Sequence, residues 1–441
     1  MRIYLLTLMF ALSPLVLWSQ ADNARFFTSD EIEAEFIRNN LGLMAEKLNV
    51  SIADAAVAQA KLWDNPSFSL SGMNLWSTTS QRDTEPIPPM VGSLGKNTQF
   101  SAELSQLISL SKKRAKLANV EKVSKEIAVA QFEILLSGMK LELRKVLSNT
   151  IYNQKYKEVL LVQQESLSRL TQNYRQQFQQ GNISQSHLLR LRSALLMVEN
   201  DINELETAIN ASQKYIKNLL NTDLQVSIII PEKSREYPNP ASLSIGKLTG
   251  DAVAFRTDLV LQHLQTDYYG EMAIYEKSLR VPDLDFSTSY DRRGGVWRDF
   301  VGFGIGFDLP LFNRNQGTIQ TALLAQQQSK LLADQQENFI RNDVAEAYHN
   351  YALAYGFYLK NNQDALLSDM DQIYSSYTKN LLAQNISMVE YMDFMDTYRE
   401  TKQKMLTCEK DVAQLFEELQ YMTGVDLLSA VFPNDYLPSN K

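Results

Sequence analysis

The chain has 441 residues, with 43 basic and 51 acidic side chains and a formal net charge of −8. Because these charges are scattered and the balance is acidic, the sequence predicts no phosphate-binding surface, and nucleic acid is not expected as a partner. The single cysteine, Cys408, rules out a disulfide within the chain.

The N-terminal residues 1–21 have the pattern of a secretory signal peptide. Arg2 is followed by an almost uninterrupted apolar run that ends at Trp18. A membrane anchor is the alternative, but about 16 apolar residues are short for a transmembrane helix, and Pro14 would interrupt it. We therefore expect the mature chain to be exported.

The elements that follow occur in two matching sets, each with one helix and two strands. The strand segments alternate apolar and polar side chains. In the first set the helix and strands are predicted at 30–62, 66–70 and 100–104, and in the second set at 247–279, 282–286 and 303–307.

Two long proline-free tracts predict helical hairpins, one after each strand pair. Each hairpin has a long outgoing helix, a turn and a shorter return helix. The predicted helices are 113–180 and 184–221 in the first hairpin, and 316–383 followed by a return to residue 422 in the second.

Both return helices carry a heptad seam, in which apolar residues recur in steps of three and four. Such seams are typical of helices that coil around neighbouring helices. The seam residues are Leu188, Leu191, Leu195, Val198, Ile202, Leu205 and Ile209 in the first helix, and Tyr391, Phe394, Tyr398, Thr401, Met405, Cys408 and Val412 in the second.

The repeated order of elements predicts a tandem duplication. The first repeat covers 22–222, a proline-containing linker covers 223–246, the second repeat covers 247–424, and a tail covers 425–441. The predicted fold class is mainly α with a small β part, built from duplicated coiled-coil hairpins and four strands.

The strands are expected to need partners from other chains, because an isolated two-stranded hairpin is barely stable in water. Phe303, Ile305 and Phe307 fall on one face of the last strand and glycines fall on the other. This alternation suits a tilted transmembrane barrel strand, so we predict that these three side chains face lipid.

The segment at 309–317, LPLFNRNQG, and the preceding segment at 290–294, YDRRG, resemble the TolC family of outer-membrane efflux proteins. Together with the order of elements, the resemblance covers essentially the whole mature chain. It is closest to the heavy-metal cation efflux branch, the CzcC-like proteins.

The resemblance implies a homotrimer in the outer membrane, with a shared transmembrane β-barrel and a periplasmic α-barrel. No cofactor is expected, because the sequence has no phosphate-binding glycine loop. It also implies that the two turns dock a periplasmic adaptor that serves an inner-membrane pump of RND type. In this chain the turn residues are Gly181, Asn182, Ile183, Ser184, Gln384, Asn385, Ile386 and Ser387. Gln384 stands where a glycine is usual.

In relatives the second turn is followed by carboxylates that narrow the periplasmic entrance. By position, the resemblance assigns this gate to Glu390, Asp393 and Asp396. Rings of carboxylates favour cations and repel one another unless they are protonated or paired. A basic partner is usual in this turn, but Ile386 and Ser387 are uncharged, which predicts a different closing network.

The sequence disfavours a metal-binding site and an enzymatic active site. Met388, Met392 and Met395 could form a relay for soft metals, but a methionine stripe beside a heptad seam is more often core packing. The three histidines are far apart, and no enzymatic motif is present. We predict a passive efflux channel. The alternatives are a poreless periplasmic coiled-coil adaptor or scaffold, and a duct for drug efflux or type I protein secretion.

Overall fold

A computed structural model describes residues 23–73, 75, 99–222, 226–230, 236–293, 297–362 and 366–427. The predicted signal peptide and nearly all of the predicted C-terminal tail lie outside these residues. The protein divides into two compact units. The first unit contains residues up to 40, 142–236 and 358–414, and the second contains 41–141, 237–357 and the residues from 415 onward. Each unit takes segments from both predicted repeats.

The elements of the first half are two short helices, four strands and a long helical hairpin. In chain order they are β1 (Asn23–Phe26), α1 (Ser29–Asn39), α2 (Leu41–Ala60), β2 (Ser67–Ser71), β3 (Ser101–Ile108), α3 (Lys113–Gln179), α4 (Gln185–Leu220) and β4 (Val226–Ile229).

The second half repeats this order without counterparts of β1 and β4 in the described residues. Its elements are α5 (Ile245–Phe255), α6 (Thr257–Ser278), β5 (Leu284–Arg293), β6 (Arg298–Gly306), α7 (Gln316–Asn362), α8 (Leu366–Leu382) and α9 (Met388–Thr423). The ends of the helical arms predicted from the proline-free tracts are confirmed to within a few residues. The part of the predicted arm 316–383 at residues 363–365 lies outside the described residues. No helix in the described ranges has an apolar stretch long enough to cross a membrane.

The prediction of continuous short helices was wrong, because each of them breaks at a single residue. Asn40 and Arg256 both adopt an extended backbone, with ψ of 113° and 120°. Asn40 Nδ2 donates to the carbonyl of Leu219 at the end of α4, at 3.0 Å. A side chain on Gly424, just after α9, would lie 3.4 Å from the Arg256 backbone. Each break thus lies against the end of a return helix.

Four strands of the second unit form one antiparallel sheet in the order β2-β3-β5-β6. Its register places Phe68 opposite Leu104, Leu104 opposite Thr288, and Thr288 opposite Phe303. The two predicted strand pairs therefore join through β3 and β5, and β2 and β6 are the two edges.

A short parallel pair, β1 and β4, belongs to the first unit and was not predicted. The side chain of Gln213 on α4 binds the backbone of Ile228 on β4 through both of its polar atoms. Its amide group donates to the Ile228 carbonyl, and its Oε1 accepts from the Ile228 N–H at 3.0 Å. Buried backbone groups need such partners, so Gln213 fixes β4 to the helix.

Candidate functional site

The first unit contains a hydrophobic core to which α3, α4, α8 and α9 all contribute. Tyr391 and Leu191, one from each predicted seam, are fully buried in it. The other seam residues are buried or half-buried. The heptad pattern therefore identified the packed faces of both return helices.

The first turn, between α3 and α4, closes with a left-handed glycine. Gly181 has φ of +79°, its N–H donates to the Phe178 carbonyl at 2.9 Å, and the Asn182 N–H donates to the Gln177 carbonyl at 2.9 Å. These two hydrogen bonds provide donors for backbone carbonyl groups in the last turn of α3. The side chain of Asn182 adds a 2.7 Å bond to Gln177 Oε1.

The second turn has the same backbone geometry without a glycine. Gln384 has φ of +60°, its N–H donates to Leu381 at 3.1 Å, and the Asn385 N–H donates to Asn380 at 2.8 Å. The left-handed region costs a residue with a Cβ about 1 kcal/mol. The pairing of hydrogen bonds is nevertheless preserved, so the two turns present equivalent backbone surfaces.

The second turn also caps the following helix better than the first. Ser387 Oγ accepts from the Glu390 N–H at 3.1 Å, which is the hydrogen bond of an N-cap serine. Ser184 instead bonds Ser186 through its hydroxyl and makes no capping bond.

The three predicted gate carboxylates are all exposed on α9, but they have different surroundings. Among the described residues, neither Glu390 nor Asp393 has a basic side chain within ion-pair distance. Asp396 pairs with Arg399 at 3.5 Å. The sequence pattern assigned the same role to the three acids, but among the described residues only Asp396 is paired with a basic side chain.

Arg399 is a basic residue of α9 that pairs with one of these three carboxylates. Its guanidinium reaches Asp201 on α4 at 3.1 Å as well as Asp396 on its own helix. It therefore joins the second hairpin to the first. Sequence reasoning missed this residue because its two partners are 3 and 198 positions away, and only the first separation is visible as a helical spacing.

A second polar cluster ties α9 to α8. Asp371 accepts from the Tyr398 hydroxyl at 2.8 Å and from Lys402 Nζ at 2.8 Å. Burial and the bond to Asp371 raise the pKa of Tyr398 well above its usual range, so the hydroxyl remains a donor. The ring of Tyr398 stacks on Tyr374 at 4.8 Å.

The sheet of the second unit has one apolar and one polar face. Phe303 and Ile305 on β6 are 87% and 65% exposed, and Phe307, just beyond the strand, is 56% exposed. Phe68 on the opposite edge strand is 65% exposed. Phe68 and Phe303 belong to one cross-strand row, so the apolar surface extends across the whole sheet.

The opposite face carries small and polar residues in register. Ser67 and Ser105 are hydrogen-bonded through their hydroxyls at 2.8 Å. Gly304 lies opposite Ser287, and a Cβ on this glycine would approach the serine hydroxyl to 2.6 Å. The glycines of β6 thus leave space for the hydroxyl groups of β5.

The methionine stripe takes part in packing. Met388 and Met395 belong to the core of the first unit, and Met392 packs against it. Within the described ranges, no group of three or more histidine, cysteine or acidic side chains could hold a metal ion.

Several solved structures share this fold over most of their length. The CmeC outer membrane channel of Campylobacter jejuni superposes with a TM-score of 0.72 and 14% identity, covering 90% of this chain and 85% of its own. CusC gives 0.69 and 16%, covering 90% and 92%. The outer membrane protein VceC of Vibrio cholerae gives 0.69 and 13%, covering 90% and 96%.

No protein-family model and no curated protein matches the chain by sequence. At identities of 13 to 16%, the structural likeness concerns the fold. The chain therefore has the fold of the TolC-type outer-membrane channels, as the resemblance in its sequence predicted. Its place in the heavy-metal branch stays a prediction.

Proposed function

We propose that the protein is one subunit of a trimeric outer-membrane channel, the exit duct of a tripartite efflux pump. The observation that carries this proposal is the two-faced sheet. An apolar face with Phe303 87% exposed is costly in water, and exposed apolar patches of this kind mark membrane or protein contacts. A serine- and glycine-lined face suits a water-filled lumen.

The open edges of the sheet support assembly with other copies. Within the part of the chain that the structure describes, strands β2 and β6 each pair on one side only. Unpaired edges are not tolerated in lipid, where every backbone group needs a partner. Pairing β6 of one subunit with β2 of the next closes a barrel, and three subunits of four strands each supply the strand number implied by the family resemblance.

In this proposal the two turns form the periplasmic tip. The residues 181–184 and 384–387 dock the hairpin of an adaptor, which serves an inner-membrane pump of RND type. Their matched hydrogen-bond patterns support this role, because a docking protein would meet two equivalent surfaces on each subunit. Transport energy comes from the pump, and the channel conducts passively.

Glu390 and Asp393 form the entrance ring in the trimer. They are exposed and lack basic partners among the described residues, so no described side chain of the same subunit neutralises them. Asp396 is neutralised by Arg399 and has a smaller role in the ring. The pair between Arg399 and Asp201 joins the two hairpins of the subunit.

Heavy-metal cations are the proposed substrates, on the strength of the resemblance at 309–317. An acidic entrance is compatible with cation transport. Drugs or a secreted polypeptide are the rival substrates, because a wide duct selects little and its pump partner chooses the cargo.

The mass of the detergent-purified protein tests whether it assembles as a trimer. Native mass spectrometry should give three copies of the mature chain, recovered from the outer-membrane fraction only with detergent. A monomer that is released from the periplasm without detergent would instead support the poreless adaptor or scaffold.

A further inference from the structure

The end of the sheet that joins the helices carries an exposed apolar segment at 309–312. In the register, Asp285 near the start of β5 lies opposite Gly306 at the end of β6. The 309–312 segment follows β6, so it lies beside the connection from α6 to β5. Leu309 and Leu311 continue the alternation of the apolar face and are both exposed, and Phe312 is 93% exposed. The apolar surface of the sheet therefore extends beyond its last strand.

Arg314 follows this apolar segment, and hydrogen bonds fix its backbone. The Arg314 N–H donates to Gln316 Oε1 at 2.9 Å, and the Arg314 carbonyl accepts from Arg280 Nε at 3.0 Å. The next residue, Asn315, has φ of +58° and donates through Nδ2 to the Glu276 carbonyl at 3.0 Å. These contacts attach the segment to the end of α6 and hold Arg280 beside Arg314.

The charges of these two arginines are not compensated by carboxylates. Arg280 and Arg314 are exposed, and neither has a carboxylate within ion-pair distance among the described residues. The nearby acids have other partners. The carboxylate of Glu276 accepts a hydrogen bond from the asparagine that follows Arg314, and Asp283 pairs with Lys113 at 2.8 Å.

Two further acids at this end of β5 and β6 belong to the polar face of the sheet. Asp285 lies opposite Gly306, and a Cβ on this glycine would lie 3.9 Å from the Asp285 Cβ. Asp308 falls on the same alternation as Gly306. The arginines therefore accompany the apolar segment, whereas these two acids accompany the glycines.

Basic residues also flank the other two strands at this end, because β3 ends opposite the start of β5 and β2 starts opposite the end of β3. The guanidinium carbon of Arg114 lies 3.5 Å from the centre of the exposed Trp63 ring. Tryptophan, lysine and arginine are the residues typical of a membrane–water interface. The basic residues are Lys61 before β2, and Lys112 and Arg114 after β3.

We propose that the 309–312 segment enters the bilayer on the side of the helices, and that Arg280 and Arg314 bind the phosphate of an anionic phospholipid there. Guanidinium groups match phosphate oxygens in geometry and charge, and the exposed apolar side chains match the acyl chains. Free phosphate would use only the arginines, so the juxtaposition favours a lipid. This proposal rests on the proposed membrane location of the sheet.

Native mass spectrometry of the full chain in detergent tests the proposal with two lipids, dimyristoyl phosphatidylglycerol and dimyristoyl phosphatidylcholine. Their acyl chains are identical, and only the first lipid has a net negative charge. We expect phosphatidylglycerol to bind more tightly. Arg314→Gln should weaken its binding about fivefold, the effect of one cation near an anionic headgroup, and should leave phosphatidylcholine binding unchanged.

The Arg314 substitution keeps the backbone carbonyl that binds Arg280, so the segment should retain its position. Lys330→Gln, which removes an exposed cation within α7, is the matched control and should keep the preference for phosphatidylglycerol.

The apolar segment is tested separately. Phe312→Ser should weaken the binding of both lipids to the same extent, because it removes an acyl-chain contact and no charge. Leu353→Ser, at a position of α7 that is also exposed, should weaken neither. Inorganic phosphate at the concentration of the lipid should not displace phosphatidylglycerol.

Equal binding of the two lipids by the unmodified chain would overturn the lipid site and leave the channel proposal standing. Displacement of phosphatidylglycerol by inorganic phosphate, or equal effects of Arg314→Gln and Lys330→Gln, would do the same. If neither lipid binds, the site and the membrane location of the sheet are both overturned.

Discussion

Gln384 is the residue at which this chain departs most clearly from its own repeat. It adopts the left-handed conformation that Gly181 adopts in the first turn, with φ of +60° against +79°. A glutamine in this region is strained because of its Cβ, whereas glycine is not. The strain is tolerated because the hydrogen bonds of Gln384 and Asn385 satisfy the end of α8.

Gln384→Gly should therefore stabilise the second turn by about 1 kcal/mol per subunit, since it removes the penalty of the left-handed Cβ. The midpoint of thermal unfolding, followed by circular dichroism, measures the change. The matched control is Gly181→Gln in the first turn, which should destabilise by a similar amount. A lower midpoint for Gln384→Gly would show that the glutamine side chain makes a compensating contact.

Glu390 and Asp393 are the residues whose charge should matter for conduction. Replacing both with alanine removes the unpaired carboxylates from the entrance, so single-channel conductance should rise and block by trivalent cations should weaken severalfold. The control is Glu400→Ala, an exposed acid farther along α9. Equal changes in the control and the double variant would remove the gate assignment.

At the scale of elements, the distribution of proline and the hydrophobic periodicity together predicted most of the fold. The long helices and the buried seams follow from repeats that are local in sequence. The breaks at Asn40 and Arg256 could not be predicted in this way, because these residues lie against the ends of helices that are far along the chain. The pair of β1 and β4 was missed because four-residue strands carry too little alternation to be distinguished from loops.

Part of the candidate site could also be predicted from the sequence. The two turns were found from their repeated sequence, and Gln384 was identified as the exception. The role of Arg399 could not be found, since its bond to Asp201 depends on how two hairpins pack. The distinction between Asp396 and the other two acids depends instead on its own pair with Arg399, which lies three residues further along the same helix.

The attachment of β4 gives an element-scale prediction. Gln213→Leu would leave the N–H and carbonyl of Ile228 buried without partners, which costs about 1–3 kcal/mol for each group. Hydrogen exchange should show faster exchange of the Ile228 amide, and the unfolding midpoint should fall. Gln185→Leu, at an exposed position of the same helix, should change neither quantity.

The faces of the sheet give a second prediction. Phe303→Lys places a charge where lipid is proposed, which costs up to about 4 kcal/mol in a barrel strand. Assembly into vesicles of dimyristoyl phosphatidylcholine, measured by flotation, should fall sharply. Ser69→Lys, on the polar face opposite Glu103, should assemble as the unmodified chain does. Equal assembly of both variants would contradict the proposed lipid-facing side.

At the scale of the whole molecule, the two units have different roles in the proposed channel. The second unit supplies the strands that meet lipid, and the first supplies the turns, the entrance acids and the ion pair between the hairpins. In the proposed trimer, each subunit would contribute two hairpins, so three subunits would present six turns to an adaptor. The acidic side chains of the proposed entrance would then act on every ion that enters the duct.

Single-channel recording of the purified full chain in a planar bilayer tests most directly whether the protein is a channel. A channel should give discrete, small, cation-selective currents that trivalent cations block from the side of the helical tip. Protein that inserts but passes no current, or that never inserts, would contradict the channel and favour a poreless periplasmic scaffold.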